Sequence, residues 1–457
     1  MSFNSPTFLF FFLPVFFLVY SVASGRARIF IGIVGSLLFY SSNHVEDLPI
    51  LLGLLFATYS LSVGISRWNG RIFAVLLLLG GILANVALII FYKLLLNNSY
   101  PFGLSYLSFQ SIATLVESKK YPSGQKEDIL SFAFYFLLFP KIAVGPITRY
   151  SQVRDQINSL KPDLEIMVDG FRRFIRGLAK KVLIADTLSI VVTPIFLLSS
   201  PDISMFHAWL VLFSYALQLY FDFSGYVDMA IGLALLMGIK LPENFDFPYI
   251  SKSISEFWRR WHITLSSWFR DFVFYPLERK RLMWVGQPLN ILIVFALTGL
   301  WHGLTLNFFI WGLIHGLALI FEGTLLGKKM KMLWAPLQHL YALIIIFVSW
   351  VFFRSPTIEF AFSYLQRLVG IPGESILGYD AIAPLPIIEP TFLIAFSAGL
   401  VLSFPIKKTI TMLTSKYGLN NSWLFQVVYD VFMVALLAIS IAAISARSFV
   451  PGIYGSF

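Results

Sequence analysis

Long apolar runs recur along most of the chain, and they restrict its fold more than any other feature. Backbone polar groups in lipid must bond to one another, so only helices and closed barrels cross a membrane. A straight helical crossing needs about 20 apolar residues, and several of the runs are shorter. The pattern predicts an all-α polytopic membrane protein with about eleven transmembrane helices, the short runs forming half-helices, re-entrant segments or buried pieces. The candidate spans are Phe8–Tyr20, Ile29–Tyr40, Leu48–Val63, Ile72–Phe91, Ile129–Val144, Trp209–Phe221, Leu289–Trp301, Leu306–Phe321, Tyr341–Phe353, Phe392–Phe404 and Val427–Ile444.

Composition excludes several classes of protein and of chemistry. With 58% hydrophobic and 13% charged residues, the chain cannot be a soluble globule. Cysteine is absent, so disulfides, thiolate nucleophiles and cysteine-based metal sites are excluded. No carboxylate-rich or paired-histidine spacing supports a metal site, and none is predicted. The first apolar run contains Pro14 and lacks a basic leader and a cleavage site, which indicates a retained first span. Without a repeat or a linker, residues 1–457 are predicted to form a single membrane domain.

Basic residues alternate with acidic ones between the first spans and predict an orientation. Arg26 and Arg28 follow the first span, an acidic stretch at 44–47 follows the second, and Arg67 and Arg71 follow the third. The positive-inside rule then places the N-terminus outside and the arginine loops in the cytoplasm. Topogenesis and contact with anionic lipid account for most of the net charge of +10. Because the basic residues are dispersed among spans, nucleic-acid binding is not predicted.

Four polar segments interrupt the apolar pattern. Residues 121–128 and 370–390 have the composition of extramembrane loops. Residues 151–181 end in FRRFIRGLAKK, in which basic and apolar positions interleave, and residues 251–281 contain RRWHITLSSWFRD. Both of these segments are predicted to lie at the cytoplasmic interface as amphipathic helices.

The stretch from Arg259 to Asp271 is the most unusual of these polar segments. At about 100° per residue, its large apolar side chains share one helical face and its arginines the other, with His262 at the border. The apolar face comprises Phe257, Trp261, Leu265 and Trp268, and the polar face Arg259, Ser266 and Arg270. The arginines are expected to point toward water, headgroups or an anionic ligand. The alternative is a membrane-surface anchor with an incidental histidine.

His302 differs in its setting, FALTGLWHGLTLNFFIWGLIHG, in which Trp301, Gly299 and Gly303 flank it within apolar sequence. An ionisable side chain at membrane depth faces a bundle interior or a cavity and is a candidate functional group. Gly299 and Gly303, one turn apart, would let another backbone or a ligand approach closely. The alternative is an imidazole that only bridges two helices.

Cooperation between His302 and His262 requires the chain to reverse direction. Forty residues of continuous helix would separate them by about 60 Å, and a break at Tyr275-Pro276-Leu277 followed by a basic loop is expected to supply the reversal. A neutral imidazole in an apolar tunnel can act as a general base toward a hydroxyl. A thioester delivered from the cytoplasm on a phosphate-bearing carrier would suit Arg259, Arg260 and Arg270.

Several phrases, in order, resemble the membrane-bound O-acyltransferases, in particular the bacterial branch with alginate O-acetyltransferase and the teichoic-acid D-alanyl transfer protein. They span residues 100–355, and the terminal IYGSF resembles a weakened form of the family's aromatic ending. The phrases are PFGLSYLSFQSI, FPKIAVGPITRY, GLAKKVLIADTL, YFDFSGYVDMAIG, NFDFPYISKSISEFWRRWHITLSSWFRDFVFYPL, GLWHG and WVFFR. The FWRRWH and GLWHG pair at this spacing is the most specific part.

The resemblance implies a tunnel from the cytoplasm to the exterior with His302 near its centre. His302 matches the family's invariant histidine and would be the base, and His262 matches the second histidine and would orient or polarise the acyl group or its acceptor. Arg259, Arg260, Arg270 and Trp301 are expected to contact the donor. Asp222, Ser224 and Asp228 match FDFSGYxD and are expected to have a mainly structural role, polar pairing inside the bundle.

The resemblance also implies an enzyme that binds no cofactor and moves an acyl group from a thioester to a hydroxyl of a cell-envelope polysaccharide. Alginate is among the candidate acceptors, and a separate extracytoplasmic acyltransferase is a possible partner. Acetyl-CoA is the favoured donor. However, Glu278-Arg279-Lys280-Arg281 replaces the Gly-Gly-Asn-Arg loop of the acetyltransferase branch, and WFRDFVF is similar to the D-alanyl branch, so a carrier-bound donor stays open. The expected location is the bacterial inner membrane. A non-catalytic glycan or lipid transporter is the alternative from another class, although the inverted repeat typical of transporters is not found.

Overall fold

The computed structural model describes residues 1–95, 100–120, 128–142, 144–161, 163–198, 200–280, 286–371, 388–406 and 422–446, with the single residues 412, 414 and 416. These residues form helices and turns and contain no β-strand. The all-α prediction is therefore confirmed for this part of the chain. Four predicted features lie wholly or partly outside the described residues: the loops at 121–128 and 370–390, the basic turn at 281–288, and the ending IYGSF.

The described residues form a long series of helices. In chain order they are α1 Leu13–Val22, α2 Gly25–His44, α3 Leu48–Arg67, α4 Ile72–Leu95, α5 Leu104–Lys120, α6 Ile129–Leu137, α7 Phe139–Ile142, α8 Tyr150–Asn158, α9 Leu164–Ala179, α10 Asp186–Phe196, α11 Met205–Leu236, α12 Ile254–Arg260, α13 Ile263–Phe269, α14 Tyr275–Lys280, α15 Gly286–His302, α16 Leu306–Gly323, α17 Leu325–Met330, α18 Ala335–Arg354, α19 Ile358–Leu368, α20 Pro390–Leu402 and α21 Trp423–Ala446. Three π-helical turns extend this series: Phe8–Phe12 precedes α1, Lys180–Ala185 joins α9 to α10, and Arg270–Phe274 joins α13 to α14.

The chain divides into two compact units. The first consists mainly of Met1–Leu178 and Tyr226–Glu243, and the second mainly of Ala179–Gly225 and Asn244–Ala443, so α11 contributes to both. Compactness alone does not decide whether units fold separately, and the single domain over residues 1–457 stays a prediction.

Six helical segments in the described residues are long and apolar enough to cross a membrane. They are Gly25–Arg67, Ile72–Leu95, Met205–Leu236, Leu306–Gly323, Ala335–Arg354 and Trp423–Ala446, with shorter apolar helices at Phe8–Val22 and Pro390–Leu402. The multi-pass character is thereby confirmed, while the number of about eleven spans stays a prediction. The difference arises where apolar runs form short helices, as in the Ile129–Val144 run, where the chain leaves α6 at Leu138 before α7 begins.

Two tight helix contacts depend on glycine. In the first unit, a Cβ on Gly170 of α9 would lie 2.8 Å from the carbonyl oxygen of Gly232 on α11, so the two backbones meet directly. In the second unit, Gly299 of α15 and Gly312 of α16 face each other, and a Cβ on either would collide with a backbone carbonyl of the other helix. The α15–α16 hairpin therefore packs closely where the GLWHG phrase lies.

The predicted interfacial segments are helical, but one is built differently from the expectation. Residues 151–181 lie mostly in α8 and α9, as expected. Residues 254–280 do not form one amphipathic helix: α12 ends at Arg260, and α13 starts after a left-handed residue, His262, with φ of 43°. The expected break at Tyr275-Pro276-Leu277 is also wrong, because Tyr275 has helical backbone angles and α14 follows the Arg270–Phe274 turn directly. The helical path continues to Lys280, and Asn290 Nδ2 on α15 donates to Glu278 Oε1 at 2.7 Å.

Candidate active site

His302 is the last residue of α15 and is buried in the second unit. Four aromatic rings surround the imidazole, at centroid distances of 4.5 Å for Trp301, 6.1 Å for Phe308, 5.1 Å for Trp311 and 5.0 Å for Phe353. Trp311 and Phe353 meet the imidazole nearly at right angles. The ring is therefore held in an aromatic enclosure contributed by α15, α16 and α18.

The two glycines of the GLWHG phrase make this enclosure possible. A Cβ on Gly299 would collide with the carbonyl oxygen of Phe308, and one on Gly303 with the Phe308 ring. The close approach that the sequence predicts for Gly299 and Gly303 is thereby confirmed, and the approaching group is the start of α16. Larger residues at either position would push Phe308 away from His302.

His262 is buried at the turn between α12 and α13, rather than at the border of an exposed helix. Its left-handed backbone is uncommon for a residue with a side chain, although histidine adopts it more often than most. Asn244 holds this turn, since its backbone oxygen accepts the Ile263 N–H at 3.0 Å and its Oδ1 accepts the Thr264 N–H at 3.0 Å. The local fold therefore aims the imidazole inward.

Asn244 also assigns the tautomer of His262. The Thr264 N–H can only donate, so the Asn244 atom that faces it must be the carbonyl oxygen. His262 Nδ1 lies 3.2 Å from that oxygen and therefore donates to it. Nε2 is then the basic nitrogen of the ring. Burial lowers the pKa of His262 to about 3, so the imidazole is neutral at physiological pH.

An aromatic path connects the surroundings of the two histidines. Trp261, next to His262, lies 5.2 Å from Trp350, which lies 5.5 Å from Phe353, and Phe353 contacts His302 at 5.0 Å. The fold therefore brings these two candidate residues to one aromatic cluster, as the sequence requires for cooperation. The chain does not reverse at Tyr275, because the helical path continues to Lys280.

The three arginines differ in what they are able to bind. Arg260 is half-buried and paired with two carboxylates, Glu256 at 2.9 Å and Asp246 at 2.9 Å. Arg270 is exposed and paired with Asp271 at 2.9 Å. Arg259 is exposed and forms no ion pair with another described residue. Of the three, Arg259 has the guanidinium best placed for an incoming anion. Trp301 is buried against His302 rather than presented at a surface.

The three polar residues of the FDFSGYxD phrase lie in different environments. In the second unit, Asp222 pairs with Lys181 at 2.7 Å, and the same Nζ contacts Asp186 at 2.6 Å. In the first unit, Asp228 pairs with Arg173 at 2.8 Å. The buried Ser224 hydroxyl forms no hydrogen bond with the rest of the described chain. Both carboxylates form ion pairs, and their mainly structural role stays a prediction.

Two further residues of the cluster are not singled out by the sequence. His315 on α16 is fully buried, and its Nδ1 accepts the Trp258 indole N–H at 3.3 Å. Asn244, described above, appears in the sequence only as part of a longer phrase. Trp311 and His315 are four residues apart and share a helical face, which is the signal that could have identified His315. No comparable signal exists for Asn244, because its role depends on a turn eighteen residues away.

A buried carboxylate connects the hairpin to α12. Glu322, in the last turn of α16, accepts the backbone N–H of Ile254 at 2.5 Å and of Ser255 at 3.0 Å. These are two of the N–H groups that a helix start leaves without an intrahelical acceptor. Glu322 thereby fixes the helix that precedes His262 to the helix that carries His315.

One group of possible metal ligands occurs in the described part of the chain, and it belongs to the first unit. His44, Glu46 and Asp47 in the first unit place their ligand atoms within 4.8 Å of one another. Asp47 Oδ2 already accepts the Phe102 N–H at 3.0 Å, and the His44 ring stacks on Phe102. The group includes neither His262 nor His302.

Comparison with known proteins bears on this arrangement. The sequence profile of the membrane-bound O-acyltransferase (MBOAT) family matches residues 39–361. The probable alginate O-acetylase AlgI of Pseudomonas putida is 34% identical over 384 residues, covering 79% of each chain. The peptidoglycan O-acetyltransferase of Helicobacter pylori is 32% identical, covering 82% of this chain and 81% of its own, and the teichoic acid D-alanyltransferase of Bacillus subtilis is 29% identical, covering 55% and 66%. The resemblance in the sequence is confirmed: the chain belongs to the membrane-bound O-acyltransferase family and is a multi-pass O-acyltransferase.

Proposed function

We propose that the protein transfers an acetyl group from a cytoplasmic thioester to a hydroxyl of a cell-envelope polysaccharide, or of a partner protein that passes it on. The observation that carries this proposal is the enclosure of His302 in the same aromatic cluster as His262. Such surroundings keep an imidazole neutral and exclude water, which suits proton abstraction from an alcohol and disfavours hydrolysis.

His302 is proposed as the general base. It accepts the proton of the acceptor hydroxyl while the oxygen attacks the thioester carbonyl. Collapse of the tetrahedral intermediate breaks the C–S bond, and the leaving thiolate takes the proton back from the imidazolium. The chain has no cysteine and no nucleophile-elbow serine, so direct transfer without a covalent acyl-enzyme is the simplest route.

His262 is proposed to orient the acceptor. The sequence leaves two roles open, polarising the acyl carbonyl or orienting either substrate. A neutral imidazole with its proton on Nδ1 offers a lone pair at Nε2 and no donor there. It can accept a hydrogen bond from the incoming hydroxyl but cannot polarise a carbonyl. The Asn244 contact therefore favours the orienting role.

The donor is proposed to reach His302 through a tunnel that opens to the cytoplasm. Arg259, exposed on α12, would receive the phosphates of the donor. This assignment agrees with the predicted orientation, in which residues 251–281 are cytoplasmic, the N-terminus is outside and the protein lies in the bacterial inner membrane. A thioester on coenzyme A or on a carrier's phosphate-bearing arm fits the same chemistry.

Acetyl-CoA is favoured as the donor over a carrier-bound D-alanyl group. The relatives named as O-acetylases or O-acetyltransferases match 79–82% of the chain, whereas those named D-alanyltransferases match 50–55%. The acceptors in the former names are alginate and peptidoglycan, so a cell-envelope glycan is the proposed acceptor class. A separate extracytoplasmic acyltransferase is a proposed partner that completes the transfer.

The test is a donor assay on the purified protein in lipid. Labelled acetyl-CoA is supplied, and thioester cleavage and acyl transfer are followed for the wild type, His302→Ala, His302→Gln and the control His207→Ala. His207 bonds to Ser204 at 2.7 Å on another part of the second unit. Both His302 variants are expected to lose turnover by a factor of about 10² or more, while the control retains it and all variants keep their unfolding temperature within a few degrees.

Each outcome of this assay is informative. Full turnover by a correctly folded His302→Gln protein would show that the base lies elsewhere. Turnover with a D-alanyl carrier and none with acetyl-CoA would replace the donor and leave the base in place. Substrate movement across the bilayer without any acylated product would favour the transporter alternative over the enzyme.

A further inference from the structure

A cavity in the first unit opens beside an arginine that has no acidic partner. The cavity measures about 110 Å³ and is lined by Phe17, Tyr20, Ser21, Arg28, Met167 and Leu236. A water molecule occupies about 10–15 Å³ on this measure, so the space accommodates a group the size of a phosphate. Its walls come from the end of α1, the start of α2, α9 and the end of α11, and its lining combines one cation with apolar and hydroxyl side chains.

Arg28 donates only to neutral groups. Its Nε donates to the Tyr20 carbonyl at 3.4 Å, Nη1 to the Leu160 carbonyl at 3.2 Å and Nη2 to the Ser21 carbonyl at 3.4 Å. A guanidinium has five N–H donors, so these bonds leave two for a ligand. The three contacts hold the side chain in place and do not neutralise its charge.

Acidic residues near the cavity do not pair with Arg28. The first acidic residue of the sequence is Glu46, so α1 and the first turns of α2 carry none. On α9, Asp169 pairs with Arg172 at 3.5 Å. Arg28 forms no ion pair with any described residue. A half-buried guanidinium with a fixed position, spare donors and an adjacent cavity is suited to an anion with two or more oxygens.

Exposed apolar residues close in sequence to the lining residues indicate that the anion carries apolar chains. Leu18 and Val22, which follow the lining residues Phe17 and Ser21 on α1, are 70% and 81% exposed, and Leu164, three residues before Met167 on α9, is 75% exposed. Exposed apolar side chains on the helices that form a cationic cavity fit the junction between lipid headgroup and acyl chain. We propose that this cavity binds the phosphate of an anionic phospholipid, with Arg28 as its ligand and Leu18 and Val22 along the acyl chains.

This assignment is independent of the acyl-transfer chemistry, because the cavity and all its lining residues belong to the first unit. It concerns a structural lipid rather than a substrate, and its readout is lipid retention rather than turnover. A failure here would leave the proposed function unaffected, and a failure of the donor assay would leave the lipid site unaffected.

The test uses the full chain in a neutral detergent. Phosphatidylglycerol is titrated, and native mass spectrometry counts retained lipid while the unfolding temperature is followed. The variants are Arg28→Gln, the control Arg26→Gln and Met167→Phe. Arg26 is exposed in the same turn of α2 and does not line the cavity, so the control loses the same charge. Met167→Phe fills the cavity and keeps Arg28, which covers the case in which Arg28→Gln fails to fold.

Wild type and Arg26→Gln are expected to retain phosphatidylglycerol and to gain stability from it. Arg28→Gln and Met167→Phe should bind it about tenfold more weakly, from the loss of a charge-assisted pair or of the space. Equal loss in Arg26→Gln and Arg28→Gln would show general surface attraction and overturn the proposal. If Met167→Phe retained as much lipid as the wild type, the proposed role of the cavity would be overturned. If inorganic phosphate or coenzyme A displaced the lipid at equal concentration, the site would be one for a soluble phosphate.

Discussion

Removing the Asn244 side chain should affect stability and catalysis together, because one oxygen serves both. Asn244 Oδ1 accepts from His262 Nδ1, from the Thr264 N–H at 3.0 Å and from the Thr264 hydroxyl at 2.9 Å. In Asn244→Ala the Thr264 hydroxyl can rotate and the His262 ring can change its tautomer, but the Thr264 N–H loses its acceptor and cannot move to another. At about 1–3 kcal/mol for one buried donor left unpaired, the free energy of unfolding should fall by about 1–3 kcal/mol.

The catalytic effect should exceed what lost stability explains. Asn244→Ala frees both the orientation and the tautomer of the imidazole, and a misplacement of about 1 Å at a reacting centre costs about a hundredfold in rate. We expect kcat for acyl transfer to fall by about that factor, while KM for the donor changes little. Tyr364→Phe is the control, since it removes a buried hydrogen bond of 2.7 Å to the Ala208 carbonyl in the same unit without touching the cluster.

A second variant separates positioning from packing. Asn244→Asp keeps an acceptor oxygen but places a negative charge against His262, which raises the pKa of the imidazole. The acidic limb of the pH–rate profile should therefore move to higher pH, since protonation removes the lone pair on Nε2. If Asn244→Ala keeps a kcat within twofold of Tyr364→Phe, or if the Asn244→Asp profile superimposes on that of the wild type, the proposed role of this contact is wrong.

Two further predictions follow from the same cluster. Burial lowers the pKa of His262 to about 3, whereas an unfolded histidine titrates near 6.5, so protons bind the unfolded chain preferentially between these values. The contribution of His262 to stability is therefore fully present above pH 6.5 and is lost as the pH falls. Between pH 6.5 and 5, the free energy of unfolding of the wild type should fall by about 2 kcal/mol more than that of His262→Asn. Equal losses for the two proteins in chemical denaturation would contradict the assignment. Gly299→Ala should lower the free energy of unfolding by about 2 kcal/mol or more, because the added methyl group collides with the Phe308 carbonyl. Gly53→Ala, inside α3, places its methyl group in open space and should be neutral or stabilising by about 0.5–1 kcal/mol. Equal unfolding temperatures for the two glycine variants would refute the close packing.

Much of the architecture could be predicted from the pattern of side chains alone. Apolar runs long enough for helices and too frequent for a soluble protein predict a multi-pass helical membrane protein, because lipid leaves the backbone no other partners. The GLWHG phrase predicts a functional histidine, since an ionisable side chain inside apolar sequence costs free energy and usually has a function. The resemblance of the FWRRWH and GLWHG phrases to the family implies that His262 acts with His302. Gly299 and Gly303 predict close packing beside His302, and the backbone and the ring of Phe308 provide it.

The sequence could not predict the local conformation at His262. A regular 100° rotation places His262 at the edge of a surface helix, whereas the structure breaks that helix and buries the ring. The break depends on Asn244, eighteen residues earlier, whose oxygens accept the N–H groups at the start of α13. Helical periodicity describes neighbours within a helix and contains no information on such a distant acceptor. The number of spans is also hard to predict from the sequence. A short apolar run can be buried equally well as a half-helix or as part of a longer helix.

The sequence by itself determined the class of fold and the family, and it predicts the two histidines as the site. These features depend on the chemistry of the side chains and on their spacing along the sequence, and both are the same in any folded arrangement. Only the tertiary structure decided that His302 has four aromatic neighbours, that Asn244 sets the tautomer of His262, that Arg260 is neutralised by two carboxylates and that Arg28 is not. Each of these depends on which distant groups share a small volume. Burial and pairing are properties of that volume and not of any one segment of the chain.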